Sequence, residues 1–157
     1  MATILALRSI DKTLQTQVRK HTKAIVEPEW KQALAQRADT RLEHRVIVDT
    51  AVVSVSNQNV RVTSANKGRP LSGGLNPKVD WAAVEFGSGK KTTTFSRKSK
   101  NGGTHKVTRK GGASLKGRSR TGYVFWPAAE NMIPRIASLW VQTTVKTIAN
   151  ALEGKRE

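Results

Sequence analysis

Cysteine is absent from the chain, which excludes a disulfide framework and any thiolate metal site and fits folding in a cytosol. Acidic residues are scarce. Only 11 Asp and Glu stand against 28 Lys and Arg in 157 residues, a formal net charge of +17. A balance that basic implies an acidic partner: nucleic acid, an anionic surface or acidic protein neighbours in an assembly. Long apolar runs are missing too. No segment approaches the ~18 residues a membrane span needs, and the apolar stretch ahead of Arg8 is too short for the core of a signal peptide. The expectation is a soluble protein with no membrane partner, made without cleavage, folding as one domain with a core of its own.

What is present falls into helical and extended patterns. Ile10, Leu14, Val18 and Ile25 recur at helical spacing behind Ser9, a suitable N-cap, and predict an N-terminal amphipathic helix. Trp30, Leu34 and Ala38 continue an apolar stripe beyond Pro28 to about Leu42, so the pattern reads as one kinked helix or two consecutive ones. From Arg45 the β-branched run RVIVDTAVVSVS, the turn Asn57-Gln58-Asn59 and NVRVTS predict two antiparallel strands. The Gly-, Pro- and Asn-rich stretch NKGRPLSGGLNP reads as a loop, and VDWAAVEFG as a strand or a short helix. Beyond Gly122, YVFW predicts a short strand ending at Pro127. A C-terminal helix follows, with its regular part starting at Pro134 and Ile133, Ile136, Ala137, Trp140, Val141, Thr144, Ile148 and Leu152 on one face. The fold class is α+β: an N-terminal helix, a small antiparallel sheet with a long basic hairpin insertion, and a C-terminal helix packed on the sheet.

Residues 87–122 differ in kind. They hold eleven cations (Lys90, Lys91, Arg97, Lys98, Lys100, Lys106, Arg109, Lys110, Lys116, Arg118 and Arg120), eight glycines and not one acid. Such a segment cannot pack a core by itself and is expected to be mobile. Within it TTTFS and THKVT flank Asn101-Gly102-Gly103, a hairpin signal. Three roles compete for these cations: docking onto a protein surface, contact with nucleic-acid phosphates, and plain solubility. Eleven cations with no acid make plain solubility less persuasive. Few aromatics accompany them, so a base-stacking platform has little support.

The run GSGKKTT beginning at Gly87 looks like the end of a phosphate-binding loop. Setting the required Gly-Lys on Gly89-Lys90, however, puts Val84 where the first glycine belongs and Lys91 where the magnesium-binding hydroxyl belongs. The β-branched TTTFS after it is also a poor helix start. His21, His44 and His105 have no metal-ligand spacing, and Asp49, Asp80 and Glu85 form no acid–base pair by spacing. Glu27 and Glu29, around Pro28, suit the positive end of a helix starting there. No nucleophile–base pair is visible either. The expectation is a protein without catalytic residues, metal or cofactor.

Two short motifs carry a resemblance. DWAAVEFGSG places Trp81, Glu85, Phe86 and Gly87 in an aromatic-x-x-x-Glu-[Phe/Tyr]-Gly pattern, and VFWPAAENM places Phe125, Trp126, Pro127 and Ala128 in an aromatic-Pro-Ala element opening the last helix. With a variable loop between them and an amphipathic helix ahead of the sheet, the chain resembles the tail-completion or head–tail joining (neck) proteins of long-tailed phages, the lambda minor tail protein Z type. Its basic loop departs from that pattern in length and charge.

The resemblance implies a structural virion protein assembled in the host cytoplasm, and a homo-oligomeric ring, a hexamer matching the tail tube. Its implied partners are other neck and tail proteins: a connector or stopper, the tail terminator and the tail tube. The tail terminator of the same neck is an alternative with a similar layout. An alternative of another class is a non-specific DNA- or RNA-binding protein using the basic loop, and contact with packaged DNA is open under either. The motif residues themselves make sense as core and turn positions, with Trp81 and Phe86 burying apolar area and Glu85 accepting amide hydrogen bonds at the turn its own motif makes. The loop is expected to reach a neighbouring subunit or an acidic partner ring.

Overall fold

The computed structural model describes residues 12–112 and 115–153. Its first element, α1 (Lys12–Ala35), is a single helix running through Pro28. The carbonyl that Pro28's missing N–H would have served belongs to Ala24, an exposed position, so the lost bond costs little there. The buried stripe is Val18, Thr22, Val26, Trp30 and Leu34, in steps of four. Ile25, expected on that face, is exposed, while Ser9 and Ile10 lie outside the described residues.

Next comes a short helix α2 (Arg41–Glu43), continuing as a π-helical turn over His44–Val48 in which Asp49 N–H donates to His44 O at 2.9 Å. This corrects the expected strand from Arg45. Val46, Ile47 and Val48 are strand formers by propensity, yet all three enter the core on one wide turn. A capping box decides it. Thr40 Oγ1 accepts from Glu43 N–H at 3.2 Å, while the Glu43 carboxylate accepts from Thr40 N–H at 3.0 Å and Asp39 N–H at 2.9 Å. Thr50 then satisfies the loosened turn by donating to Val46 O and accepting from Ala65 N–H.

Only the later part of the β-branched run is extended. Strand β1 (Val52–Val55) pairs antiparallel with β2 (Val60–Thr63), Val53 opposite Val62. The stretch VDWAAVE is helical, within α3 (Pro77–Glu85). Asn76 caps it, its Oδ1 accepting from Lys78 N–H at 3.1 Å, and Pro77 occupies the first turn. A separate two-stranded ribbon follows, β3 (Lys91–Lys98) with β4 (Thr104–Gly111), paired from Lys91↔Gly111 to Lys98↔Thr104.

The last element, α4 (Phe125–Leu152), is helical from Phe125 onward. YVFW is therefore not a strand: Phe125 and Trp126 form the helix's first turn, and Pro134 lies inside the helix rather than at its start. Helix α4 runs antiparallel along α1, with His21 beside Thr147 at one end and Trp30 edge-on to Phe125 (centroids 5.4 Å) at the other. Arg135 bridges to Glu29 at 2.7 Å between them. The buried side of α4 holds Ala128, Met132, Ile136, Thr143, Thr144 and Thr147, whereas Ile133, Val141 and Leu152, expected inward, are exposed. Core residues come from α1, the π turn, β1, α3 and the start of α4. Among the described residues no helix is long and apolar enough to cross a membrane.

Every residue of the ribbon is exposed except Val107, which is half-buried. The ribbon thus adds nothing to the core, and Gly112 already lies against Gly89. Removing 90–111 and joining Gly89 to Gly112 is expected to leave the unfolding midpoint within a few degrees of the parent. Thermal melts followed by circular dichroism check this; a collapse in the midpoint would mean that the ribbon is part of the folding unit.

Candidate functional site

The two sequence motifs meet at one carboxylate. Helix α4 begins after Val124, whose apolar side chain cannot cap it. Glu85, the last residue of α3, serves instead. Fully buried, it accepts from Val124 N–H at 3.2 Å, Phe125 N–H at 2.9 Å and Trp126 N–H at 3.1 Å. The next residue is Pro127, which has no N–H, and Ala128 N–H already donates to Val124 O at 3.2 Å. Each of the helix's first amides thereby has a partner or needs none. The carboxylate also sits at the positive end of a long helix dipole, where negative charge is favoured. Glu85 was expected to accept amides at its own turn; the amides it takes are those of the other motif.

Glycine makes this knot possible at two positions. Gly87 (φ +71) ends α3, and a Cβ there would stand 1.9 Å from Gly117 O; Gly122 (φ +79) passes Glu85, and a Cβ there would stand 2.3 Å from Oε1. Between these close approaches the chain returns as a strap, with Ser88 N–H donating to Lys116 O at 3.0 Å, Ser119 N–H to Phe86 O at 2.8 Å and Tyr123 N–H to Glu85 O at 3.0 Å.

The eleven cations therefore divide. Lys91, Arg97, Lys98, Lys106, Arg109 and Lys110 stand on the ribbon strands, Lys90 precedes β3, and Lys100 sits in its turn. Arg118 and Arg120 lie on the strap. Lys116 does not belong with the docking residues: its Nζ reaches Asp39 and the buried Glu43, each at 2.8 Å, and lies 4.8 Å from the centre of the Tyr123 ring. Burial alone would lower the Lys116 ammonium, but the hydrogen bonds to Asp39 and Glu43, with their charges, outweigh it and leave it raised. The same contact holds Asp39 below its ordinary value, the hydrogen bond from Lys116 being the main cause and its charge the next.

Replacing Lys116 with methionine is expected to cost about 1–3 kcal/mol, because it leaves the Glu43 carboxylate buried without its counter-charge. Lys106→Met on the ribbon should stay within about 0.5 kcal/mol of the parent. Urea titrations of the two variants compare them directly; equal effects would undo the partition. The pH dependence has a definite sign. A depressed Asp39 stabilises the fold above its unfolded value and ceases to do so as pH falls through the folded one. A raised Lys116 stabilises at neutral pH and ceases to do so as pH rises through its folded value, in the alkaline range. The stability difference between the parent and Asp39→Asn should accordingly be present at neutral pH and fade as pH falls from the ordinary aspartate value through the lowered folded one, as read from urea midpoints.

Two motif residues expected inside face outward instead. Trp81 is 36% and Trp126 50% exposed. Both border an open groove of about 230 Å³ with Val62 and Ile47. On its other side Trp126 borders a second groove with Phe86, Pro127 and Ile133. An apolar surface thus runs from Trp81 across Trp126 to Ile133. Farther along α4, Val141, Val145 and Leu152 are exposed as well. Single-sequence periodicity missed this because α4 is apolar on more than one side and threonines take part of the inner face.

No group of three His, Asp or Glu that could hold a metal occurs among the described residues. No family model, curated protein or solved structure matches the chain.

Proposed function

We propose that this chain is a structural virion protein at the neck of a tailed phage, completing the tail and joining it to the head as one subunit of a ring. The observation that carries the reading is the convergence of the two motifs behind the resemblance. Trp81-x-x-x-Glu85-Phe86-Gly87 and Phe125-Trp126-Pro127-Ala128 are joined by the Glu85 carboxylate into one substructure. Their common occurrence then has a physical reason, since each is half of the same helix cap.

A second feature supports assembly. A closed ring needs two different patches that meet head to tail. The exposed apolar surface around Trp81, Trp126 and Ile133 supplies one, and the outer side of α4 near Val145 and Leu152 supplies another. In this role the protein works through surfaces, with no catalytic residue, metal or cofactor. A hexamer stacked on the tail tube, beside a connector or stopper and the tail terminator, would assemble in the host cytoplasm and end in the virion.

Electron microscopy of particles assembled without this chain tests the reading. Separate heads and tails are expected; normally joined particles would refute it. At the protein level Trp126→Glu should keep the fold, as read by circular dichroism. It should also abolish ring formation, as read by sedimentation with the other neck proteins present.

A further inference from the structure

The partner of the basic ribbon follows from charge and shape, independently of the neck reading. A second copy of this chain is a poor partner. Of the nine acids in the described residues, Glu27, Glu29, Asp39 and Glu43 are paired with cations, while Asp80 and Glu85 accept backbone amides. Of the other three, Glu153 also has a partner, which leaves Asp49 and Glu130. From its described residues a neighbouring subunit would bring those two against eight cations from Lys90 to Lys110, together with its own net charge of +17. Like charge of that size opposes the contact.

We propose that the ribbon Lys91–Gly111 is a sequence-independent clamp for the phosphate backbone of duplex nucleic acid. The register puts alternate residues on opposite faces. One face carries Lys98, Lys106 and Lys110 among five Ser and Thr hydroxyls, with Thr94 and Thr108 in contact at 3.1 Å. Ammonium groups and hydroxyls are the donors that phosphate oxygens take, and they position a protein on a duplex without reading its sequence. The other face carries Lys91, Arg97 and Arg109 around Phe95 and Val107, with the Arg109 guanidinium 5.4 Å from the Phe95 ring centre.

Protein-docking surfaces are instead depleted of lysine at their centre and anchored by buried aromatics. The ribbon offers one phenylalanine, exposed and with the Arg109 guanidinium over its ring, which is too little for a buried aromatic anchor. With no stacking platform it does not suit single strands. Its shape does suit a duplex. Two strands of eight residues make a rod about 26 Å long, and a two-stranded ribbon fits the major groove between its phosphate walls.

The test is a salt titration of the full chain on a short random-sequence DNA duplex, read by fluorescence anisotropy. Six to eight phosphate contacts predict a slope of log K against log salt of about −5 to −7. The triple variant Lys98→Gln, Lys106→Gln, Lys110→Gln should flatten that slope by roughly 2.7 and weaken binding on the order of a hundredfold near 0.15 M salt. A control with equal charge removed from the body (Lys20→Gln, Lys78→Gln, Lys146→Gln) should keep the parent slope within about one contact's worth, ~0.9. Circular dichroism checks that both variants are folded. Three results overturn the proposal. They are no duplex binding at about 50 mM salt, equal losses from the two triple variants, and binding to polyglutamate or single-stranded DNA as tight as to the duplex.

Discussion

Replacing Glu85 with alanine is expected to remove about 3–5 kcal/mol of stability, a large fraction of what a domain of this size has. The reason is an imbalance in what remains. Alanine leaves the amides of Val124, Phe125 and Trp126 in place with no acceptor; the first is buried and the other two part-buried, and a fully buried unpaired donor costs about 1–3 kcal/mol before the site relaxes. Glutamine separates polarity from packing. It keeps the volume and one acceptor oxygen but turns an NH2 group toward amides that need acceptors, so Glu85→Gln should lose about 2 kcal/mol. Urea titration measures both. A loss below about 1 kcal/mol for alanine would mean that water caps α4 as well as the carboxylate does.

Gly87→Ala should be as damaging for a different reason. The new methyl group would enter the space held by Gly117 O and crowd Lys116 O at 2.6 Å, both backbone atoms that cannot swing aside. The positive φ adds about 1–2 kcal/mol of strain to any residue with a Cβ. Relief requires the strap to lift, which breaks the Ser88–Lys116 and Ser119–Phe86 bonds and draws Lys116 away from Asp39 and Glu43. A total of about 3–5 kcal/mol is expected, together with faster amide exchange at Ser88 and Ser119. Gly122→Ala acts on the carboxylate itself, because its Cβ would lie 2.3 Å from Glu85 Oε1. Combined with Glu85→Gln it should cost less than the sum of the two, since both changes disturb the same cap. Strict additivity would separate Gly122 from Glu85.

Much of the architecture is written in local pattern. The helical spacing around Val18, Trp30 and Leu34, the alternation at Val53 and Val62, and the Asn101-Gly102-Gly103 turn all announce elements that the structure contains. A missed signal was also available: Asn76-Pro77 is an N-cap followed by a first-turn proline, and it marks α3 as a helix where β-branched and aromatic content left the choice open. Thr40 with Glu43 likewise announces a helix start just ahead of the β-branched run. Propensity lost there because three adjacent apolar residues reach the core more easily from a wide helical turn anchored at its cap.

By itself the sequence determined the α+β class, the charge, and the existence of an arm with nothing to bury. Those are properties of composition and of periods a few residues long. Only the tertiary structure decided that Lys116 is a clasp and not a docking cation, that Trp81 and Trp126 look outward, and that Glu85 caps a helix forty residues away. The reason is common to all three. Each role depends on which atoms the fold brings within a few ångströms across a long stretch of chain, and no local pattern encodes that distance.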